Sequence, residues 1–125
     1  MHDLYDIERV VPHRGTLRLV DRLVAWDEDS VAVELRVPHE GPFSHAEGVP
    51  AWVGVEYMAQ AIAAWAGCRA RSAGREPSIG FLLGTRRYES RVTWFVAGAL
   101  LRVEATRELL GDNGLGMFRC RILED

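Results

Sequence analysis

Proton-transfer chemistry is concentrated in two short stretches of the first half of the chain. The first is Val11-Pro12-His13-Arg14, and the second runs from Pro42-Phe43-Ser44-His45 through Pro50-Ala51-Trp52 to Val55-Glu56-Tyr57-Met58-Ala59-Gln60. A neutral imidazole can take a proton near pH 7, and a carboxyl group kept out of water stays protonated and can give one. His45, in a loop before a helix, and Glu56, within it, are side chains of those two types. Gln60, one helical turn after Glu56, could orient its carboxyl group. Plainer readings remain open for each. His45 could only cap loop backbone, Glu56 could pair with a core arginine, Gln60 could be a structural amide, and His13 and Arg14 could brace the loop that Pro12 and Gly15 impose.

The element that must position Glu56 is a helix. Pro50 suits a first turn, Ala59, Ala61, Ala63, Ala64 and Ala66 are strong helix formers, and no cluster of glycine or proline interrupts the run. A helix from about Ala51 to about Arg71 is expected, roughly 30 Å long at the standard rise. At 100° per residue Glu56 shares a face with Trp52, Ala59, Gln60, Ala63 and Gly67, while Gly54, Met58, Ala61, Ile62 and Trp65 lie opposite. No charge follows Glu56 before Arg69, so the helix is expected to be buried on most sides, with Glu56 in poorly solvated surroundings. Pro50, Glu56 and Gln60, the weak apolarity of glycine and alanine, and the strand-like flanks argue against a membrane span.

Composition narrows the classes of function. The formal net charge of -3 argues against nucleic-acid binding. Cys68 and Cys120 stand alone within regular elements, which favours free thiols and a cytoplasmic home over a disulfide framework or a zinc site. Residues 1 to 6 lack the basic and apolar regions of a signal peptide, so none is expected. All 15 basic residues are arginine. That can reflect genome composition alone, but arginine also suits phosphate and carboxylate partners.

Around the helix the pattern is of strands. Residues 3 to 9 form a short helix or arm. Leu17 to Trp26 reads as a strand, Asp27-Glu28-Asp29-Ser30 as a turn, and Val31 to Val37 as a half-buried strand completing a hairpin, because Val31, Val33, Leu35 and Val37 alternate with smaller or charged residues. After the helix, with Arg69 and Arg71 in its last turn and Gly74 as its cap, strands are expected over Ser78 to Thr85, Val92 to Val96, Ala99 to Leu109 and Leu115 to Leu123. Gly111-Asp112-Asn113-Gly114 marks a hairpin turn between the last two. The expectation is a single α+β domain over residues 1–125, with an antiparallel twisted sheet wrapped around one long central helix.

Taken together, the proline-histidine-arginine loop, Leu19-Val20-Asp21-Arg22, Phe43-Ser44-His45, Pro50 and Glu56-Tyr57-Met58-Ala59-Gln60 resemble the hotdog-fold 3-hydroxyacyl-(acyl carrier protein) dehydratases of fatty-acid synthesis. Gly80-Phe81-Leu82-Leu83-Gly84-Thr85-Arg86-Arg87-Tyr88 after the helix brings the resemblance closest to the small dehydratase-like proteins of aryl polyene biosynthesis. It extends over about residues 7 to 123.

The resemblance implies a hotdog fold and a homodimer or related heterodimer, with a tunnel between protomers for a chain carried on the phosphopantetheine of an acyl carrier protein. No other cofactor and no metal are implied. It assigns the catalytic roles to His45 and Glu56, on opposite sides of the dimer interface, with the Ala51 or Trp52 N–H polarising the thioester carbonyl. Gln60, His13 and Arg14 fall among the candidate substrate-binding residues. Arg69, Arg71, Arg75, Arg86, Arg87 and Arg91 are either solvated charges or a patch for an acidic carrier. In two respects the chain departs from the fatty-acid enzymes: Ser44 replaces the glycine before the histidine and the loop to Pro50 is shorter, and the chain stops where the family usually adds a strand, which would leave a sheet edge. Dehydration is the first reading. A catalytically weak subunit that completes an active partner is the second, favoured by the shortened loop, and thioester hydrolysis is the third.

Overall fold

The computed structural model describes residues 4–75, 89–110 and 116–124. In chain order they form α1 (Ile7–Val10), β1 (Arg22–Trp26), β2 (Ser30–Arg36), β3 (Val49–Pro50), α2 (Gly54–Ser72), β4 (Trp94–Phe95), β5 (Leu100–Leu110) and β6 (Gly116–Glu124). Single 3-10 turns occupy Gly15–Leu17 and Ala51–Val53, the second leading directly into α2. The expected strand over Ser78 to Thr85 and the turn at Gly111 to Gly114 lie outside the described residues.

Hydrophobic alternation builds a four-stranded antiparallel sheet in the order β1-β2-β5-β6. Val33, Leu35, Leu101, Val103 and Ala105 turn inward and are almost wholly buried. They share one apolar cluster with Tyr57, Ala61, Ala64, Trp65 and Cys68 of α2, each large side chain contributing about 1.5 to 3 kcal/mol of burial. The alternate residues face out and pair by charge. Glu34 opposes Arg22 and Arg102 in register, and Glu104 opposes Arg121. The Arg121 hydrogen bond, at 2.7 Å, holds the Glu104 carboxyl below its ordinary value, and Arg102 at 2.8 Å adds to the effect.

Two expectations about strands are corrected. The first strand begins at Arg22 rather than Leu17, because Leu17, Leu19 and Val20 give their backbone groups to the Gln60 side chain instead of a neighbouring strand. The run Val92 to Val96 is regular only at Trp94–Phe95, paired with Val49–Pro50, and leaves Val92 and Val96 exposed.

Helix α2 runs to Ser72 and ends as its sequence suggests. Gly74, at φ +74°, donates to Arg71 O, and Arg75 N donates to Ala70 O, so a left-handed residue closes the last turn. Gly67 is required by packing, since a Cβ there would stand 2.2 Å from Val10 O at the end of α1. The helix is apolar all round, but its faces are not equally covered. Tyr57, Ala61, Ala64 and Cys68 are buried and Met58 and Ile62 pack partly buried against the core, whereas Val55, Ala59 and Ala63 are half-exposed and Ala66 is exposed. No helix among the described residues is long and apolar enough to cross a membrane.

Candidate active site

Among the described residues Gln60 is the fully buried polar side chain of the core, and it organises this region. Its Oε1 accepts from Leu19 N at 2.8 Å and Val20 N at 3.3 Å, and its Nε2 donates to Leu17 O at 2.8 Å and to Glu56 Oε1 at 3.2 Å. The amide is therefore both of the things its position suggested, a brace for the segment before β1 and an orienting partner for the carboxyl group one turn earlier. Such a buried amide is tolerated because all four of these interactions are made.

Glu56 departs from expectation. Its side chain is 41% exposed in the single chain, not enclosed in an apolar shell. Trp52, expected to cover it, is 64% exposed and stands edge-on to Phe43 at 6.0 Å. The physical reason lies in the helix: Glu56 sits at the boundary between the face packed on the sheet and the far face that this chain leaves partly open. Its Oε1 also lies 3.7 Å from His13 Nε2. Separation of 43 positions hides this pairing from any local pattern. It arises because Gln60 draws the segment following the proline loop onto α2.

Arg14 serves that loop and not the carboxyl group. Its Nη1 donates to Val11 O at 2.7 Å and His13 O at 3.0 Å, closing the backbone around His13.

His45 is placed by a tight turn. Its N–H donates to Gly48 O at 2.9 Å and its carbonyl accepts from Gly48 N at 3.0 Å, so the shortened loop is a compact hairpin leading into β3. Gly48 adopts φ +127°, and a Cβ there would meet Phe95 O at 2.2 Å. The His45 ring is exposed and lies edge-on to Trp94, 5.7 Å between centroids. Sequence reasoning did not single out Trp94. The only signal was its place in an apolar run, and its role depends on the long-range pairing of Pro50 with Trp94. No hydrogen bond, ion pair or ring contact joins His45 to Glu56.

Backbone donors at the helix entry are also sorted by the structure. Ala51 N–H is already committed to Thr93 O at 3.0 Å, so the expectation that it could polarise a carbonyl is corrected: an amide carries one hydrogen. Trp52 N–H has no hydrogen-bond acceptor among the described residues. Of the arginines, Arg69 stacks on Trp65 at 4.9 Å and Arg71 donates to Arg9 O at 3.0 Å. Arg75 and Arg91 are exposed. Arg86 and Arg87 lie outside the described residues. Among the described residues no cluster of metal-ligating side chains occurs.

The model of the ApeP-like family, described as ApeP dehydratase, matches residues 5–125. The chain belongs to that family. This ApeP-like protein is a dehydratase, a hydro-lyase of hotdog fold, as its loop, strand and helix motifs implied. A chain in the solved structure of the dehydratase heterocomplex ApeI:P from Xenorhabdus doucetiae is similar to it at TM-score 0.89 and 28% identity, over 98% of this chain and 83% of that one. No relative was found among the curated proteins. The antiparallel sheet laid on one long helix is thus the hotdog arrangement, and the ApeP-like chain carries its candidate acid on that helix and its candidate base in the preceding turn.

Proposed function

We propose that the chain removes water from a 3-hydroxyacyl thioester held on the phosphopantetheine arm of an acyl carrier protein, in sites completed by a second hotdog chain. The product is a trans-2-enoyl thioester. A base takes the C2 proton, its electron pair becomes the C2–C3 double bond, and the C3 hydroxyl leaves as water with a proton from the acid. His45 is the base and Glu56 the acid, each acting with its counterpart on the facing chain. Proton return from the imidazolium to the carboxylate resets the pair. The Trp52 N–H receives the thioester oxygen as negative charge develops there.

The observation that carries this reading is that the two groups have different partners within one chain. His45 rests on Trp94, Glu56 rests against Gln60 and His13, and no hydrogen bond, ion pair or ring contact joins them. Leu17, Trp52, Val92 and Val96 are large apolar side chains left exposed, which suits burial against a partner that would also exclude water. Assembly with a different hotdog chain is supported by the similar structure, which is a dehydratase heterocomplex. The same fact favours a second reading, in which this chain mainly completes the site of a more active partner.

Mass analysis of 3-hydroxyacyl carrier protein incubated with the chain, alone and with its hotdog partner, tests the proposal. Loss of one water, by the chain alone or with its partner, supports it, release of free acid points to hydrolysis, and dehydration by the assembled pair that survives His45→Ala combined with Glu56→Gln in this chain supports the second reading. An unchanged substrate in every combination contradicts all of them.

A further inference from the structure

The hydrogen bonds of Gln60 decide more than its own orientation. Its Oε1 receives two backbone N–H groups, from Leu19 and Val20, and only oxygen can accept them. Its Nε2 must then face Leu17 O and Glu56 Oε1. A donor fixed at that point makes Glu56 Oε1 an acceptor. When Glu56 carries its proton, the proton therefore sits on Oε2, which has no partner among the described residues.

His13 approaches the same oxygen, with Nε2 3.7 Å from Glu56 Oε1 and its ring one-third exposed at 33%. Its Nδ1 is buried and has no hydrogen-bond partner among the described residues. A hydrogen on Nδ1 would bury a donor with nothing to receive it, which is the more costly arrangement. The tautomer with its hydrogen on Nε2 leaves only a lone pair in the dry position and turns its N–H toward Glu56. Arg14, the nearest cation in the loop, is occupied with the carbonyls of Val11 and His13.

We propose that His13 is a positioning residue for Glu56: protonated on Nε2, it supplies Oε1 with a second donor and, with Gln60, confines the acidic proton to Oε2, the oxygen turned to substrate. The proposal rests on the reading of Glu56 as the acid. It assigns the two histidines opposite tasks, since His45 has its ring free for substrate while His13 acts only through the carboxyl group of its own chain. The slight gap beyond hydrogen-bond distance closes when substrate and partner shut water out, as catalytic contacts commonly do.

The test uses the chain assembled with its hotdog partner. His13→Ala is expected to lower kcat about tenfold, the worth of one hydrogen bond, with KM unchanged. His13→Gln, which places an amide N–H at a similar reach, is expected to restore most of that loss. Equal losses in the two variants, or full kcat in His13→Ala, overturn the proposal. A readout independent of turnover is the ring-nitrogen spectrum of 15N-labelled protein at neutral pH. The Nε2-protonated tautomer, with an Nε2 resonance that moves in Glu56→Gln while that of exposed His39 does not, supports it. An Nδ1-protonated ring, or a His13 signal indifferent to Glu56→Gln, overturns it. Full activity in Glu56→Gln removes the acid reading itself, whereas an inactive Glu56→Gln beside a fully active His13→Ala removes the positioning role alone.

Discussion

Replacing Gln60 by methionine keeps the volume and removes every polar atom of the side chain that joins α2 to the segment before β1. Val20 N–H would be left buried without an acceptor, and Leu19 N–H and Leu17 O, both part-buried, would lose their partner. Each buried unsatisfied group costs about 1 to 3 kcal/mol, so one counted in full and two at half weight give about 4 kcal/mol. That is a large share of the roughly 5 to 15 kcal/mol by which a domain is stable. With a urea m-value near 2 kcal/mol/M, the midpoint of unfolding should fall by about 2 M with its slope unchanged. Amide exchange offers a residue-level check, because Leu19 and Val20 should lose protection selectively if the segment lifts to find water. A midpoint shift under about 0.3 M, with both amides still protected, would refute the assignment of Gln60 as the link between helix and strand. Gln60→Glu is the informative companion. It keeps an acceptor for the two N–H groups but places a carboxylate beside Glu56, so it should retain more of the contact with Leu19 and Val20 than Gln60→Met while impairing turnover.

Other predictions concern thiols and carrier. Burial pushes the Cys68 thiol up from 9.0 to about 12, so thiol-modifying reagents near pH 8 should label it only on unfolding, and labelling of folded protein at the rate of an exposed cysteine would contradict its placement. Because the folded value is the higher one, the thiol's contribution to stability should be whole below 9.0 and be lost as pH rises from there through about 12; Cys120, pushed up to about 11 by burial, declines over part of the same window, so denaturation midpoints should show a smaller alkaline decline in Cys68→Ala than in the wild type and an equal decline would contradict the placement of Cys68. Arg75 and Arg91, exposed where Arg69 and Arg71 are tied to Trp65 and Arg9, are the better candidates for meeting an acidic carrier. Reversing both to glutamate should weaken carrier binding and flatten its salt dependence, and unchanged affinity would return them to the solvated surface.

The outline of this fold was open to reading because its signals are local. Val31, Val33 and Leu35 alternate within one strand, and the alanines of α2 and Gly74 at its end announce a helix and its stop. What local pattern could not show is where side chains far apart in sequence meet. Leu17 to Val20 alternates like a strand, yet its backbone is claimed by Gln60, some forty positions away. His13 gave no sign of lying beside Glu56, and Trp94 none of lying beneath His45. The apolar surroundings expected for Glu56 were inferred from helix faces, which report what a side chain is next to on its own helix, not whether another element covers it. Glu56, Val55 and Ala59 are half-exposed because no described element lies over that face of the helix.

The central claim is that His45 and Glu56 of one chain serve different active sites, each finished by the facing chain. It is tested by measuring dehydration of 3-hydroxyacyl carrier protein by His45→Ala, Glu56→Gln, the double variant, and the two single variants refolded together. If two copies of this chain pair, both single variants should fall by on the order of 100-fold or more, and the mixture should regain about a quarter of wild-type activity through dimers holding one intact site. If the partner is a different hotdog chain with its own acid and base, each single variant should retain about half the activity and the double variant none. Both single variants and their mixture all remaining at background, with subunit exchange verified, would contradict a shared site.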